Sequence, residues 1–143
     1  MTKGELAKNY FLSGYNCSTS VVMAFKEEIG LSTEVIEKMA IGFGGGFARQ
    51  RLTCGAVSGM GMVISLIKSD GKDKAYIYDL IQKACKEAEN TLGSIICGEL
   101  LSGKVTVTKG GSPDERTEEY YKKRPCAEIC EICADIAEKF IKN

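Results

Sequence analysis

The chain has 143 residues, of which 44% are hydrophobic and 27% charged, with 19 basic side chains against 19 acidic ones. That length allows one domain with a real core, and the balanced charge gives no electrostatic case for a nucleic-acid or membrane-surface partner. The opening MTKGELAKNYF lacks an apolar signal segment, and the longest greasy run, GMGMVISLI, is too short to span a bilayer, so the expected location is cytoplasmic.

Helical periodicity dominates from the start. Thr2 to Phe11 is predicted as a short helix. Asn16 opens a second, CSTSVVMAFKEEI, whose apolar face is Val21, Val22, Phe25 and Ile29 and whose stop is Gly30. Ser32 caps TEVIEKMAIGF and places Glu34 in the first turn, where the helix dipole favours an acid. A glycine-rich loop follows. Thr53 is the next predicted cap, leading into CGAVSGMGMVISLIKS, and Asp70-Gly71 forms a turn. Asp73 to Leu92 reads as a long amphipathic helix with Ile77, Leu80, Ile81, Ala84, Cys85 and Ala88 on one side. GSIICGELLSG suggests one short helix, KVTVTKGGSPD extended chain and turn, and Glu115 to Lys122 a further helical segment. Pro125 suits the first position of a last helix, CAEICEICADIAEKFI. The fold expected is all-α: a single-domain bundle of about six helices with a Gly-rich loop.

The stretch GFGGGFARQRLTCGAVSG, residues 42–59, concentrates glycine around one cysteine. A dinucleotide fingerprint fails because Phe47 and Arg49 stand where its third glycine would be needed, and the Gly-Lys-Ser/Thr of a P-loop is missing. Gly55, Gly59 and Gly61 fit a different use, a flat groove on the following helix that another helix can approach closely. Glycine costs ~1 kcal/mol at each helix-interior position, so a packing contact must compensate. Gly44, Gly45 and Gly46 read as a loop free to fold over a neighbour.

Seven cysteines stand at 17, 54, 85, 97, 126, 130 and 133, and there is no histidine. An odd, scattered set argues against a secreted disulfide framework, and the lack of histidine removes Cys-His pairs, mixed Cys/His zinc sites and CxxCH haem attachment. Cys17, Cys54 and Cys126 each fall in the first turn of a predicted helix, and Cys97 does so if Ser94 is its cap. There the free N–H groups and the positive dipole end stabilise a thiolate. Their spacing matches no zinc-finger or ferredoxin run, so spacing leaves function and core packing even. Cys130 and Cys133 continue the buried stripe from Cys126 through Ile136, Ala137 and Phe140, and Cys85 continues the face of Ile81 and Ala88. Core packing is expected for all three.

The fragments GYNCSTSV, GGGFARQRLTCGAVSG, CGELL and RPC, in this order, resemble the redox-active family labelled C_GCAxxG_C_C from Gly14 through the last helix. Here the signature reads Cys54-Gly55-Ala56. The resemblance maps the family's four cysteines onto Cys17, Cys54, Cys97 and Cys126 and implies redox or metal chemistry. A similar domain occurs in split-Soret cytochrome c, a dimeric helical protein with an iron-sulfur site besides its haems; this chain lacks the haem motif. On that resemblance the expected cofactor is an iron-sulfur cluster, a [2Fe-2S] form, held by the four cysteines and passing electrons to an unidentified redox partner from a homodimer. The alternatives are a thiol-disulfide redox enzyme in which Cys54 attacks, and structural zinc bound by four thiolates. Arg49 and Arg51 beside the signature are expected in solvent, the alternative being that one faces the thiolates. DERTEEYYKKR is expected to be a solvated charged face.

Overall fold

In the computed structural model, which describes residues 1–142, the helices are α1 (Lys3–Leu12), α2 (Cys17–Met23), α3 (Lys26–Ile29), α4 (Thr33–Ala40), α5 (Gly44–Phe47), α6 (Gly55–Lys68), α7 (Lys74–Leu92), α8 (Cys97–Leu101), α9 (Glu118–Lys123) and α10 (Cys126–Ile141). A 3-10 turn at Ile41–Phe43 joins α4 to α5. No strand occurs among the described residues beyond one isolated antiparallel bridge between Thr53 and Ile96. The expected all-α single domain is therefore what the chain builds, with α1, α2, α4, α6, α7 and α10 as its six longer helices.

Local chemistry explains most of the helix starts. Thr2 and Glu5 form a reciprocal capping box on α1, and Asn16, Ser32, Asp73 and Thr117 each accept a backbone N–H at the start of α2, α4, α7 and α9. Left-handed Gly30 and Gly93 end α3 and α7. The second predicted helix is broken: α2 stops at Met23 and α3 begins at Lys26, with Phe25 (φ −108°, ψ 18°) fully buried at the break. Thr53 does not cap α6. Its place in the bridge to Ile96 takes it out of the cap, and Cys54 occupies the cap position with no side-chain cap bond.

α1 lies along α10 and α2 along α6, with α6 also against α10 and α7 flanking both. The core between them holds Phe11, Phe25, Ile36, Met60 and Ile64, all essentially inaccessible, and burying each such side chain contributes about 2 kcal/mol. Two contacts fix the helix pairs. The Gly4 N–H donates to Asp135 Oδ1 at 2.8 Å, tying the start of α1 to α10. On α6, a Cβ at Gly59 would lie 2.7 Å from Ser18 O, and one at Gly55 would lie 3.0 Å from Phe43 O and 3.3 Å from Cys17 Cβ. The small-residue groove is thus real and is filled by α2 of the same chain. Gly61 is not part of it, since a Cβ there meets only the Ile81 side chain at 3.8 Å.

Candidate functional site

Between the 3-10 turn and α6 the backbone enters a region that L-residues avoid. Gly45, Gly46, Phe47, Ala48 and Arg49 have φ of 67, 70, 65, 53 and 61°, and Arg51 again has 61°. A left-handed residue costs ~1–2 kcal/mol unless it is glycine, so Gly45 and Gly46 remove part of the strain and three consecutive residues keep it. Gly46 is also required sterically, because a Cβ there would fall 2.6 Å from Cys97 Cβ. Backbone bonds from Arg51 N to Gly45 O (3.1 Å) and from Leu52 N to Gly46 O (2.9 Å) close the loop. Strain of this kind persists only where the surroundings over-determine it, and it concentrates at functional sites.

The loop turns both arginines inward, which corrects the expectation that they lie in solvent. Arg51 is 6% exposed; its Nη1 donates to Cys97 Sγ at 3.6 Å and its Nε to Thr108 O at 2.8 Å. Arg49 donates through Nη1 to Asp114 Oδ2 at 2.7 Å and through Nε to Gly110 O at 2.8 Å. Residues 104–114, expected as extended chain and turn, lie in an irregular segment 102–117 that is thereby strapped across the loop; the helix expected from Glu115 begins only at Glu118.

Cys17, Cys54, Cys97 and Cys126 all line one cavity of about 320 Å³. Each comes from a different element. Cys17, Cys97 and Cys126 are the first residues of α2, α8 and α10, and Cys54 caps α6. Two backbone bonds clip a pair of them together: Cys54 N donates to Ile95 O at 2.8 Å and Cys97 N to Leu52 O at 2.7 Å. The glycine groove brings α2, and with it Cys17, against the start of α6. Ser94, expected to cap the helix of Cys97, instead accepts from Ile96 N at 3.0 Å and donates to Glu99 at 2.6 Å. Cys85 and Cys133 stay off the cavity wall, as core packing requires.

The helix starts do not activate the thiols of Cys17, Cys54 and Cys126. Burial pushes Cys54 up to about 12, although the Val57 and Ala56 N–H groups at the head of α6 act in the opposite direction. Cys126 is raised by its hydrogen bond with Cys17 and by burial. For Cys17 the bond with Cys126 lowers, but the bond with Cys130 and burial prevail and hold it well above the ordinary thiol range. Desolvation exceeds the dipole effect because these side chains are covered by neighbouring helices and by one another. Among the described residues, no three cysteine or acidic side chains converge tightly enough to hold a single metal ion.

Several wall residues went unread in the sequence. Asp114, Arg116, Tyr120 and Arg124 face the cavity, which corrects the solvated face expected for DERTEEYYKKR. The Arg116 guanidinium sits 4.2 Å over the Phe11 ring and donates to Phe11 O and Tyr15 O. The aromatic spacing around these charges, Tyr120 and Tyr121 beside Arg116 and Arg124, was the available signal. Cys130 is buried as expected, yet its thiol also donates to Cys17 O at 3.8 Å, one helical turn below Cys126. The cavity wall therefore combines four thiols with Arg49, Arg51, Arg116 and Arg124 and a single carboxylate, Asp114.

A family model described as "Putative redox-active protein (C_GCAxxG_C_C)" matches residues 15–140. No curated protein and no solved structure matches the chain.

Proposed function

Since the chain belongs to the redox-active C_GCAxxG_C_C family over residues 15–140, we propose that its cavity holds an iron-sulfur cluster, of the [2Fe-2S] form, with Cys17, Cys54, Cys97 and Cys126 as the four thiolate ligands. The observation that carries this reading is that four cysteines from four separate elements line one cavity. All-cysteine ligation suits such a cluster, and when bound it supplies one-electron transfer. The four cysteines share the wall of a space of about 320 Å³, which has room for a group of several atoms.

The surrounding charge also supports the proposal. A four-thiolate cluster is an anion, and burying it unpaired would be costly. Arg51 beside Cys97, with Arg116 and Arg124 on the same wall, supplies the opposite charge. The glycine groove that could have served a two-fold interface is occupied by α2, so the homodimer remains a proposal on family grounds alone. A stable monomer in sedimentation at micromolar concentration would reject it.

The test of the main reading is anaerobic purification with iron and acid-labile sulfide analysis. A coloured protein carrying both is expected, with content falling sharply in Cys→Ser variants at positions 17, 54, 97 and 126 but not at Cys85. A colourless, sulfide-free preparation overturns it.

A further inference from the structure

Three arginines converge on one oxygen atom at this cavity. Asp114 Oδ2 lies 2.7 Å from Arg49 Nη1, 2.7 Å from Arg124 Nη2 and 3.9 Å from Arg51 Nη2. The three guanidinium side chains are 15%, 12% and 4% exposed, whereas Asp114 is 38% exposed. Nearly buried cations thus outnumber the one carboxylate that faces them. Arg124 has five side-chain N–H donors in a planar fork; among the described residues the only hydrogen bond of its guanidinium is the one to Asp114, and its face rests 4.6 Å over the Tyr120 ring. Arg116, by contrast, is committed to the carbonyls of Phe11 and Tyr15 and to the Tyr121 hydroxyl.

We propose that Arg49, Arg51 and Arg124 form a binding site for a small oxyanion, a carboxylate or phosphate-type group, and that Asp114 occupies it as a built-in surrogate in the free protein. The geometry supports exchange. Asp114 is the exposed partner, so rotation of its side chain into solvent vacates the place, while other contacts hold the arginines: Arg49 on Gly110 O and Thr108 Oγ1, Arg51 on Thr108 O and Cys97 Sγ, and Arg124 over the Tyr120 ring. Guanidinium forks match the paired oxygens of carboxylate and phosphate, and a ligand with two or more free oxygens uses donors that the single Asp114 oxygen leaves idle. The site opens on the same cavity as the four cysteines, which makes a small anion the class of molecule presented to the redox centre. That last step rests on the iron-sulfur reading; the binding itself does not.

The experiment titrates the as-purified full chain, by calorimetry in chloride buffer, with inorganic phosphate in one arm and oxalate in the other, while iron and sulfide are measured on each preparation. An internal competitor lowers apparent affinity by the fraction of time it holds the site, so D114N should bind the preferred anion about tenfold or more tighter than the parent chain. Adding R124Q to D114N should reverse the gain. If D114N does not fold, R124Q in the parent chain provides the check, since it must weaken the binding seen there. Binding of neither anion, or binding unchanged by R124Q, overturns the proposal. A cluster-loaded protein without anion binding rejects this inference alone, and anion binding by a cluster-free protein rejects only the iron-sulfur reading.

Discussion

Arg51 combines a cost and a use that can be measured separately. Its φ of 61° carries the left-handed penalty, and its guanidinium is buried against Cys97. With a cluster in place, removing this cation should destabilise the more negative, reduced state, so Arg51→Gln should lower the potential by tens of millivolts; a tenfold shift in a one-electron equilibrium is about 59 mV. Arg51→Lys, which keeps charge but not the planar fork, should fall between. Voltammetry at matched iron content decides, and an unmoved potential would separate Arg51 from the redox centre. Ala48 shows the cost alone. It has φ 53° and is an exposed residue at the rim of the cavity, outside the hydrophobic core. Relief of ~1–2 kcal/mol of left-handed strain exceeds the 0.5–1 kcal/mol entropy cost of glycine, so Ala48→Gly should stabilise by roughly 0.5–1 kcal/mol in a urea melt.

Between α2 and α6 the sign of a methyl group is set by what it meets. At Gly59 it meets backbone, Ser18 O at 2.7 Å, which cannot move without shifting the whole of α2 and the Cys17 at its head. Gly59→Ala should therefore destabilise by ~1–3 kcal/mol, overriding the ~1 kcal/mol that helix propensity favours, and should also reduce cluster content. At Gly61 nothing but the Ile81 side chain lies near, at 3.8 Å, so Gly61→Ala should stabilise by up to ~1 kcal/mol with cluster content unchanged. Two glycines two positions apart on one helix thus predict opposite signs. Denaturant melts of both variants without cofactor check the pair, and equal signs would remove the close-packing account of α6.

Over the whole molecule, Asp114 joins parts of the chain that local structure leaves apart: the left-handed loop through Arg49, 65 residues away, and the end of α9 through Arg124. The Arg49 hydrogen bond first, and Arg124 after it, hold the carboxyl below the ordinary carboxylate range. A lowered pKa means that the folded state binds the proton less readily than the unfolded one. The bridge is thus fully present above the ordinary range and is lost as pH falls through the lowered value. Segment 102–117 should become protease-sensitive at acid pH before the helical core melts. Cleavage by pepsin at low pH and by trypsin at neutral pH compares the two conditions. Cleavage of the parent segment that does not change with pH would show that the strap is held by its other bonds, to Arg49, Arg51, Phe11 and Tyr15.

What the sequence by itself determined lies in short-range chemistry. Caps at Asn16 and Ser32, periodic apolar faces, the glycine stop at Gly30 and the proline before Cys126 act within a few residues, so they placed the helices and put Cys17 and Cys126 at helix heads. Other features required the assembled chain. Phe47, Ala48 and Arg49 take a left-handed backbone that no intrinsic preference of theirs favours, and only contacts with Cys97, Thr108 and Asp114 turn that loop inward. Burial likewise raises the Cys54 thiol where its helix head alone would lower it, because the dipole is a property of one helix while desolvation depends on what packs over it. The arginines that looked like a solvated face became the wall of the cysteine cavity for the same reason: their partners stand many residues away, and only folding brings the charges together.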